Sequence, residues 1–115
     1  MVRDRFLAAV VLSLAVAGVA SAPASAEEMP SFRIEFKDGT IAPMRIEVPA
    51  GKPFKIELHN TGKGAAEFES VEMHREKVIA PDSSTFFVVR RLDAGEYKFF
   101  DDFHPEAPQA LIVAK

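Results

Sequence analysis

Apolar and polar residues alternate in a series of short segments between residues 31 and 114, which is the pattern of half-buried strands. In the first segment Phe32, Ile34 and Phe36 share one face, and charged residues occupy the other. Turn signals containing Gly, Pro, Asn or Asp separate the segments. The alternation predicts these strands: Ser31–Lys37, Met44–Val48, Phe54–Leu58, Ala66–Val71, Lys77–Ala80, Ser84–Arg90, Glu96–Phe100 and Ala110–Ala114.

The same region has no helical periodicity of useful length, and only Val71–Lys77 could form a single turn. Seven or eight short strands with turns between them predict an all-β fold, an antiparallel Greek-key β-sandwich. With ten Phe, one Tyr and no Trp, the predicted core is apolar packing dominated by phenylalanine. At 115 residues the chain has room for one domain.

The N-terminal segment has the features of an export signal in their usual order. Two arginines precede the apolar run Phe6–Val19, and the segment ends in Ala24-x-Ala26. We therefore predict a cleaved Sec-type signal peptide at residues 1–26 and a folded domain at residues 27–115. A retained membrane anchor is the alternative, but the run is shorter than the roughly 20 residues that span a bilayer. We expect no stable membrane insertion after cleavage.

The composition excludes several kinds of chemistry. The chain has no Cys, which rules out zinc–thiolate sites and cysteine catalysis. Its formal net charge of −3 becomes −4 when the predicted signal peptide, with two Arg and one Asp, is removed. This mild acidity argues against nucleic acid as a partner and is compatible with cations. The sequence also lacks a nucleophile–base arrangement and a phosphate-cradling Gly-rich loop, so hydrolase chemistry is poorly supported.

One loop, after the aromatic strand that begins at Tyr97, carries candidate metal ligands. It contains Asp101, Asp102 and His104, and an apolar strand follows it. Function tends to lie on loops that a rigid scaffold holds at both ends, so this loop is a candidate metal site. The alternative is an acidic surface loop whose polar side chains are only solvated.

Two further acidic groups are candidates. Glu67 and Glu69 share one face of a predicted strand, where they repel each other unless they are solvated or bind a cation. Glu76 lies in a segment of mixed charge. The alternatives are a solvated strand face for the first pair and a salt-bridged surface turn for Glu76.

Several phrases of the sequence resemble those of the cupredoxins. They are Val48–Pro53 before a strand, Asn60-x-Gly62 in a loop, and Leu92-x-Ala94-Gly95-Glu96-Tyr97-x-Phe99 near the end. In cupredoxins the last phrase leads into a loop with a Cys ligand, a His three residues later, and then usually a Met. The resemblance therefore implies a cupredoxin-like β-sandwich with a metal site at this loop.

The ligand positions that the resemblance implies are filled by other residue types here. Asp101 falls at the Cys position, His104 at the His position and Gln109 near the Met position, while the remaining copper histidine would fall near Glu67. A blue-copper centre needs a thiolate and two imidazoles. The substitutions therefore make a type 1 copper site untenable. Iron, as Fe²⁺ or Fe³⁺, suits an oxygen-rich site with one His, and copper is the alternative ion.

More narrowly, the chain is similar to cupredoxin-like periplasmic components of bacterial ferrous-iron transport systems. Ala66–Ser70, Arg75–Pro81 and Gly95–His104 carry this similarity. The resemblance implies a location in the periplasm and partners that include an iron permease, a periplasmic metal-binding protein and a membrane ferredoxin-type protein. It also implies binding of Fe(II) before transport, while a ferroxidase activity stays open.

From these arguments we predict a metal site in which Glu67, Asp101 and His104 are the main ligands. Glu69, Asp102 and Glu76 come second, as a neighbouring site or as groups that orient the ligands.

Two alternatives remain at this stage. A periplasmic copper carrier without a redox role would give weight to His59, Met73 and His74. A metal-free interaction module would have lost its ligands altogether.

Overall fold

The part of the chain that the structure describes contains nine strands. This computed structural model describes residues 29–115 together with Gly18, so the predicted signal peptide at residues 1–26, apart from Gly18, lies outside the described residues. The strands are β1 Ser31–Lys37, β2 Thr40–Ala42, β3 Arg45–Val48, β4 Phe54–Asn60, β5 Ala66–Ser70, β6 Arg75–Ile79, β7 Ser83–Val89, β8 Gly95–Asp101 and β9 Ala110–Ala114. Within residues 29–115 no helix has the length and apolar character needed to cross a membrane.

The strands form two sheets, which confirms the predicted all-β sandwich. One sheet has the order β2-β1-β4-β7, and the other has the order β3-β9-β8-β5-β6. Two of the strand pairs, β1–β4 and β3–β9, are parallel, so the sheets are mixed rather than purely antiparallel as the sequence predicted. Alternation of apolar and polar residues identifies the buried face of a strand but carries no information on the direction of its neighbour.

Most strand ends differ from the prediction by one or two residues, and three further details also differ. The extra strand β2 has three residues and pairs with β1 across the Asp38–Gly39 turn, and it is too short to show a period of two. The spacing of Met44 predicted a place on the core face of β3, but Met44 lies outside β3 and is 41% exposed. The expected single turn at Val71–Lys77 covers only residues 71–74, because β6 already begins at Arg75.

The core lies between the two sheets and consists largely of phenylalanine. Phe36, Phe54, Phe68 and Phe99 are fully buried. The Phe68 ring centroid lies 5.1 Å from that of Phe99 and 5.1 Å from that of Phe87. Each such ring buries a large apolar area, so this cluster supplies much of the stability of a domain that has no disulfide.

Candidate metal centre

Asp101 is the last residue of β8, and its side chain is buried at 1% exposure. Its Oδ1 accepts hydrogen bonds from the backbone N–H groups of Glu67 and Phe103, each at 3.0 Å. Its Oδ2 is buried and has no hydrogen-bond partner among the described residues. A buried carboxylate oxygen without a partner is costly, and a bound cation would offset that cost.

His104 lies on the same turn as Asp101. Its backbone N–H donates to the carbonyl of Asp101 at 2.9 Å, which closes the turn. The His104 side chain is 34% exposed, and its Nδ1 lies 3.6 Å from Oε1 of Glu106. The turn therefore carries one buried carboxylate and one half-buried imidazole, and both can coordinate a metal ion.

The side chain of Glu67 lies on the opposite face of the sheet from that of Asp101. In β5 the residues Ala66, Phe68 and Ser70 are buried, whereas Glu67 and Glu69 alternate with them and lie on the outer face. Asp101 is paired directly with Phe68 and therefore shares the inner face. Glu67 thus reaches Asp101 with its backbone N–H and not with its carboxylate.

Of the three predicted main ligands, Glu67 and Asp101 therefore leave the sheet on opposite faces. At this end of β5 the residue on the inner face is Ala66, whose methyl group offers no donor atom. The resemblance to cupredoxin phrases located this end of β5. It did not fix which residue faces inward, because a shift of one residue moves a side chain to the other face. Metal binding by Glu67, Asp101 and His104 individually stays a prediction.

The structure brings Glu67 together with two of the second-rank candidates. Carboxylate oxygens of Glu67, Glu69 and Glu76 lie within 4.8 Å of one another on the outer face of the five-stranded sheet. Glu69 is paired directly with Glu76 across the β5–β6 ladder. The carboxylate of Asp102 is a fourth member, because it is hydrogen-bonded to the side chain of Glu69 and its charge acts on Glu67. We call these four residues the carboxylate cluster.

The crowding of like charges changes the acidity of the cluster. Partial burial raises the pKa of Glu67, and the charges of Asp102, Glu76 and Asp101 raise it further. Partial burial also raises the pKa of Glu69, with further contributions from Asp102 and Glu76. Protonation or a bound cation would relieve this repulsion, so the cluster is a surface that favours cations over anions.

The residues of the copper-carrier alternative lie on different parts of the fold, with Met73 and His74 in the turn between β5 and β6 and His59 in the other sheet. His59 lies on β4 in the other sheet, with its Nε2 3.6 Å from Oε2 of Glu57. Met73 packs against the core. His74, in the turn before β6, lines a surface cavity of about 330 Å³ together with Glu69 and Glu76.

Some residues that shape this end of the sandwich were not singled out from the sequence. The amide nitrogen of buried Asn60 donates to the carbonyls of Gly64 and Ile79, at 2.9 and 3.0 Å. Its oxygen accepts a hydrogen bond from Gly62 N–H at 3.0 Å. In the sequence, the phrase Asn60-x-Gly62 served as a loop signal and as part of the cupredoxin resemblance, but it did not predict that Asn60 holds that loop in place.

The fold and the donor-bearing turn define a domain of the metal-binding β-sandwich type. The family described as cupredoxin-like domain matches residues 9–114, and the chain belongs to this family.

Solved structures with the same fold share low sequence identity with this chain. Reduced auracyanin from Roseiflexus castenholzii superposes with a TM-score of 0.61 at 12% identity, over 74% of this chain and 96% of that chain. The metal-binding domain of the Cu(I)-exporting P-type ATPase of Streptococcus pneumoniae D39, solved with Cu(I), gives a TM-score of 0.62 at 17% identity, over 74% and 84% of the two chains. These likenesses establish the fold.

A sequence relative also exists in Rickettsia prowazekii (strain Madrid E). An uncharacterized protein of that bacterium is 35% identical over 81 residues, which cover 70% of this chain and 65% of the relative. The chain thus spans somewhat less than two thirds of the length of that relative.

The donors in this chain do not fit the copper site that the family implies. A blue-copper site takes a thiolate and two imidazoles. The chain has no Cys, and the turn after β8 offers the Asp101 carboxylate and the His104 imidazole. The buried Oδ2 of Asp101, which has no hydrogen-bond partner within residues 29–115, instead fits a harder cation, which prefers oxygen donors.

Proposed function

We propose that this protein binds Fe(II) in the bacterial periplasm and delivers it to an iron permease of a ferrous-iron uptake system. The observation that carries the proposal is the carboxylate oxygen Oδ2 of Asp101, which is buried on the same turn as His104 and has no hydrogen-bond partner in the described part of the chain. A divalent cation between these two side chains would give that oxygen a partner. Carboxylate and imidazole donors suit Fe(II), and the remaining coordination positions would be free for water or a partner's ligand.

The carboxylate cluster supports the proposal from the outer face of the sheet. Partial burial and the neighbouring carboxylates both raise the pKa of Glu67 and Glu69, as expected where negative charges are crowded. Such a surface increases the local concentration of cations and speeds their encounter with the protein, especially at low ionic strength. We therefore assign the cluster a role in attracting the ion, and the Asp101–His104 turn the role of holding it.

The chemistry of the turn also bears on iron oxidation. Carboxylates stabilise the more highly charged Fe(III) more than Fe(II), so an ion bound to Asp101 would be easier to oxidise. An electron acceptor would have to come from outside this chain. We therefore propose Fe(II) binding and delivery, and this function does not require the protein to oxidise iron.

The link to iron uptake rests on the resemblance of Ala66–Ser70, Arg75–Pro81 and Gly95–His104 to periplasmic components of such systems. The periplasmic location rests on the predicted signal peptide at residues 1–26. The proposed partners are the iron permease and the periplasmic metal-binding protein of the same system.

Copper delivery is the second candidate function, because the fold is shared with the metal-binding domain of a Cu(I) exporter. Cu(I) prefers sulfur donors. The chain has no Cys, and Met73 packs against the core. A copper role would thus depend on Cu(II) bound by imidazole and carboxylate groups.

An anaerobic Fe(II) titration of the purified protein tests the proposal. The Asp101→Asn variant keeps the acceptor atom Oδ1 but removes the negative charge, and His104→Ala removes the imidazole. We expect each change to weaken Fe(II) binding by at least about 10-fold, since even groups that only orient ligands affect affinity on that scale. Asp93→Asn is the matched control, because it is the same substitution at an exposed turn.

Two results would contradict the iron proposal. Unchanged Fe(II) affinity in the double variant Asp101→Asn with His104→Ala would exclude the turn as the binding site. Tight Cu(II) binding that survives in this double variant but is lost in His74→Ala, together with weak Fe(II) binding by the unmodified protein, would select copper delivery.

A further inference from the structure

The imidazole ring of His104 lies directly against Gly39. An ideal Cβ placed on Gly39 would lie 3.1 Å from Cγ and 3.1 Å from Nδ1 of His104. Carbon atoms in van der Waals contact are about 3.5–4 Å apart, so any side chain at this position would press on the ring. Gly39 also has φ of 89°, a conformation that glycine adopts without steric cost. The turn between β1 and β2 thus forms the surface on which the ring rests.

A second loop fixes the position of this turn. Oδ1 of Asp38 accepts hydrogen bonds from the backbone N–H groups of Lys63 and Gly64, at 2.9 and 3.3 Å. These bonds hold the pKa of Asp38 below its usual value. A Cβ on Gly62 would lie only 2.7 Å from the backbone nitrogen of Asp38, so the two backbones are in close contact.

The loop that holds Asp38 is itself anchored to the interior. Buried Asn60, whose amide bonds the carbonyls of Gly64 and Ile79, ties it to β6. Contacts therefore run without a gap from Asn60 through the 61–65 loop and the Asp38–Gly39 turn to the ring of His104.

We propose that Gly39 is a positioning residue for His104, and that the carboxylate of Asp38 keeps Gly39 at the right place through the 61–65 loop. This inference rests on the proposed metal site, because it explains how one ligand of that site is held. A ligand ring whose position is fixed before binding loses less entropy when it coordinates an ion. The matching sequence signal is the pair Asp38-Gly39, which would otherwise be only a turn between two strands.

The test compares Gly39→Ala with Gly51→Ala. Gly51 also has a positive φ of 69°, but a Cβ there meets nothing within 4 Å. Both substitutions strain the backbone, and only the first displaces the ring of His104. We expect both variants to lose similar thermal stability, while only Gly39→Ala weakens Fe(II) binding, by about 10-fold.

NMR of the metal-free protein keeps this test separate from the test of iron binding. We expect nuclear Overhauser contacts between the α-protons of Gly39 and the ring protons of His104. In Gly39→Ala the ring signals of His104 should shift while those of His59 and His74 stay. If the unmodified protein binds no Fe(II) but these ring effects appear, the proposed function fails and the positioning role stands. Unchanged His104 signals in Gly39→Ala would overturn the positioning role.

A second pair of variants leaves Gly39 in place, in case Gly39→Ala does not fold. Asp38→Asn retains an oxygen acceptor for Lys63 and Gly64, and Asn tolerates the positive φ of 44° at this position. Asp38→Ala removes the acceptor. We expect Asp38→Asn to keep Fe(II) affinity and the His104 ring signals, and Asp38→Ala to lose both. Equal behaviour of the two variants would contradict the role of Asp38.

Discussion

At the scale of single residues, Asn60 shows how one buried amide organises a loop. The side chain is 2% exposed and satisfies three backbone groups, the N–H of Gly62 and the carbonyls of Gly64 and Ile79. Buried polar groups of the backbone need such partners, since water is not available to replace them. One side chain thus satisfies backbone groups of the loop next to β5 and of β6.

Replacing Asn60 by Ala should therefore destabilise the domain. We expect a loss of about 2 kcal/mol in the free energy of unfolding, because buried backbone groups would be left without partners. Urea unfolding, monitored by circular dichroism, measures this loss of stability. His59→Ala on the same strand is the control, since its side chain points outward and makes only a partly exposed ion pair, for which we expect a loss of less than about 1 kcal/mol. Equal losses in the two variants would contradict this role for Asn60.

The residue scale also marks the limit of prediction from sequence. The turn containing Asp101 and His104 could be located, because an aromatic strand leads into it and an apolar strand follows. The direction of the Glu67 side chain could not, because Ala66 and Glu67 are neighbours and a shift of one residue exchanges the two faces. The contact of Gly39 with His104 could not be predicted either, since it joins residues that are distant in sequence.

At the scale of elements, the β5–β6 pair places like charges opposite each other. Glu69 faces Glu76 across the ladder, and Glu67 lies close by. Direct pairs of like charge destabilise a sheet. The pKa values of Glu67 and Glu69 are raised in the folded protein, which means that the native state holds protons more tightly than the unfolded state.

Removing one charge of the cluster should therefore raise stability at neutral pH. At pH values below 4.5, the usual pKa of Glu, Glu69 is protonated in both the folded and the unfolded protein, so the repulsion is absent. As the pH rises through the higher pKa of the folded state, the repulsion appears and stability is lost. Glu69→Gln should thus melt at a higher temperature than the unmodified protein at pH 7 and at a similar temperature near pH 4. Thermal unfolding in low salt measures the difference.

Glu96→Gln on β8 is the control for this prediction, because it removes an exposed carboxylate outside the cluster. Its melting temperature should stay close to that of the unmodified protein at both pH values. A destabilised Glu69→Gln at pH 7, or a gain equal to that of Glu96→Gln, would contradict the claim that repulsion in the cluster costs stability.

The positions of most strands could be predicted from the sequence, but the shortest strand and the direction of strand pairing could not. Alternation located most strands because one face of each packs on the core. The three-residue strand β2 was missed, since three residues do not establish a period. The parallel pair β1–β4 was missed because the faces of a strand do not depend on the direction of its neighbour.

At the scale of the whole molecule, the sandwich brings three connections to one end. The Asp38–Gly39 turn, the 61–65 loop and the loop after Asp101 contact one another there. Behind them lies a core of phenylalanine rings without any disulfide. The fold family is thus retained in a chain without Cys, and in the proposed site the Asp101 carboxylate would take the place of a sulfur donor, which favours harder cations.

The most direct test of that claim is to locate the ion. Crystals grown or soaked with Fe(II) under anaerobic conditions would be measured on both sides of the iron absorption edge. We expect an anomalous peak about 2–2.2 Å from Oδ2 of Asp101 and from one ring nitrogen of His104. A peak confined to the carboxylate cluster, or no peak at the Asp101–His104 turn, would contradict the account.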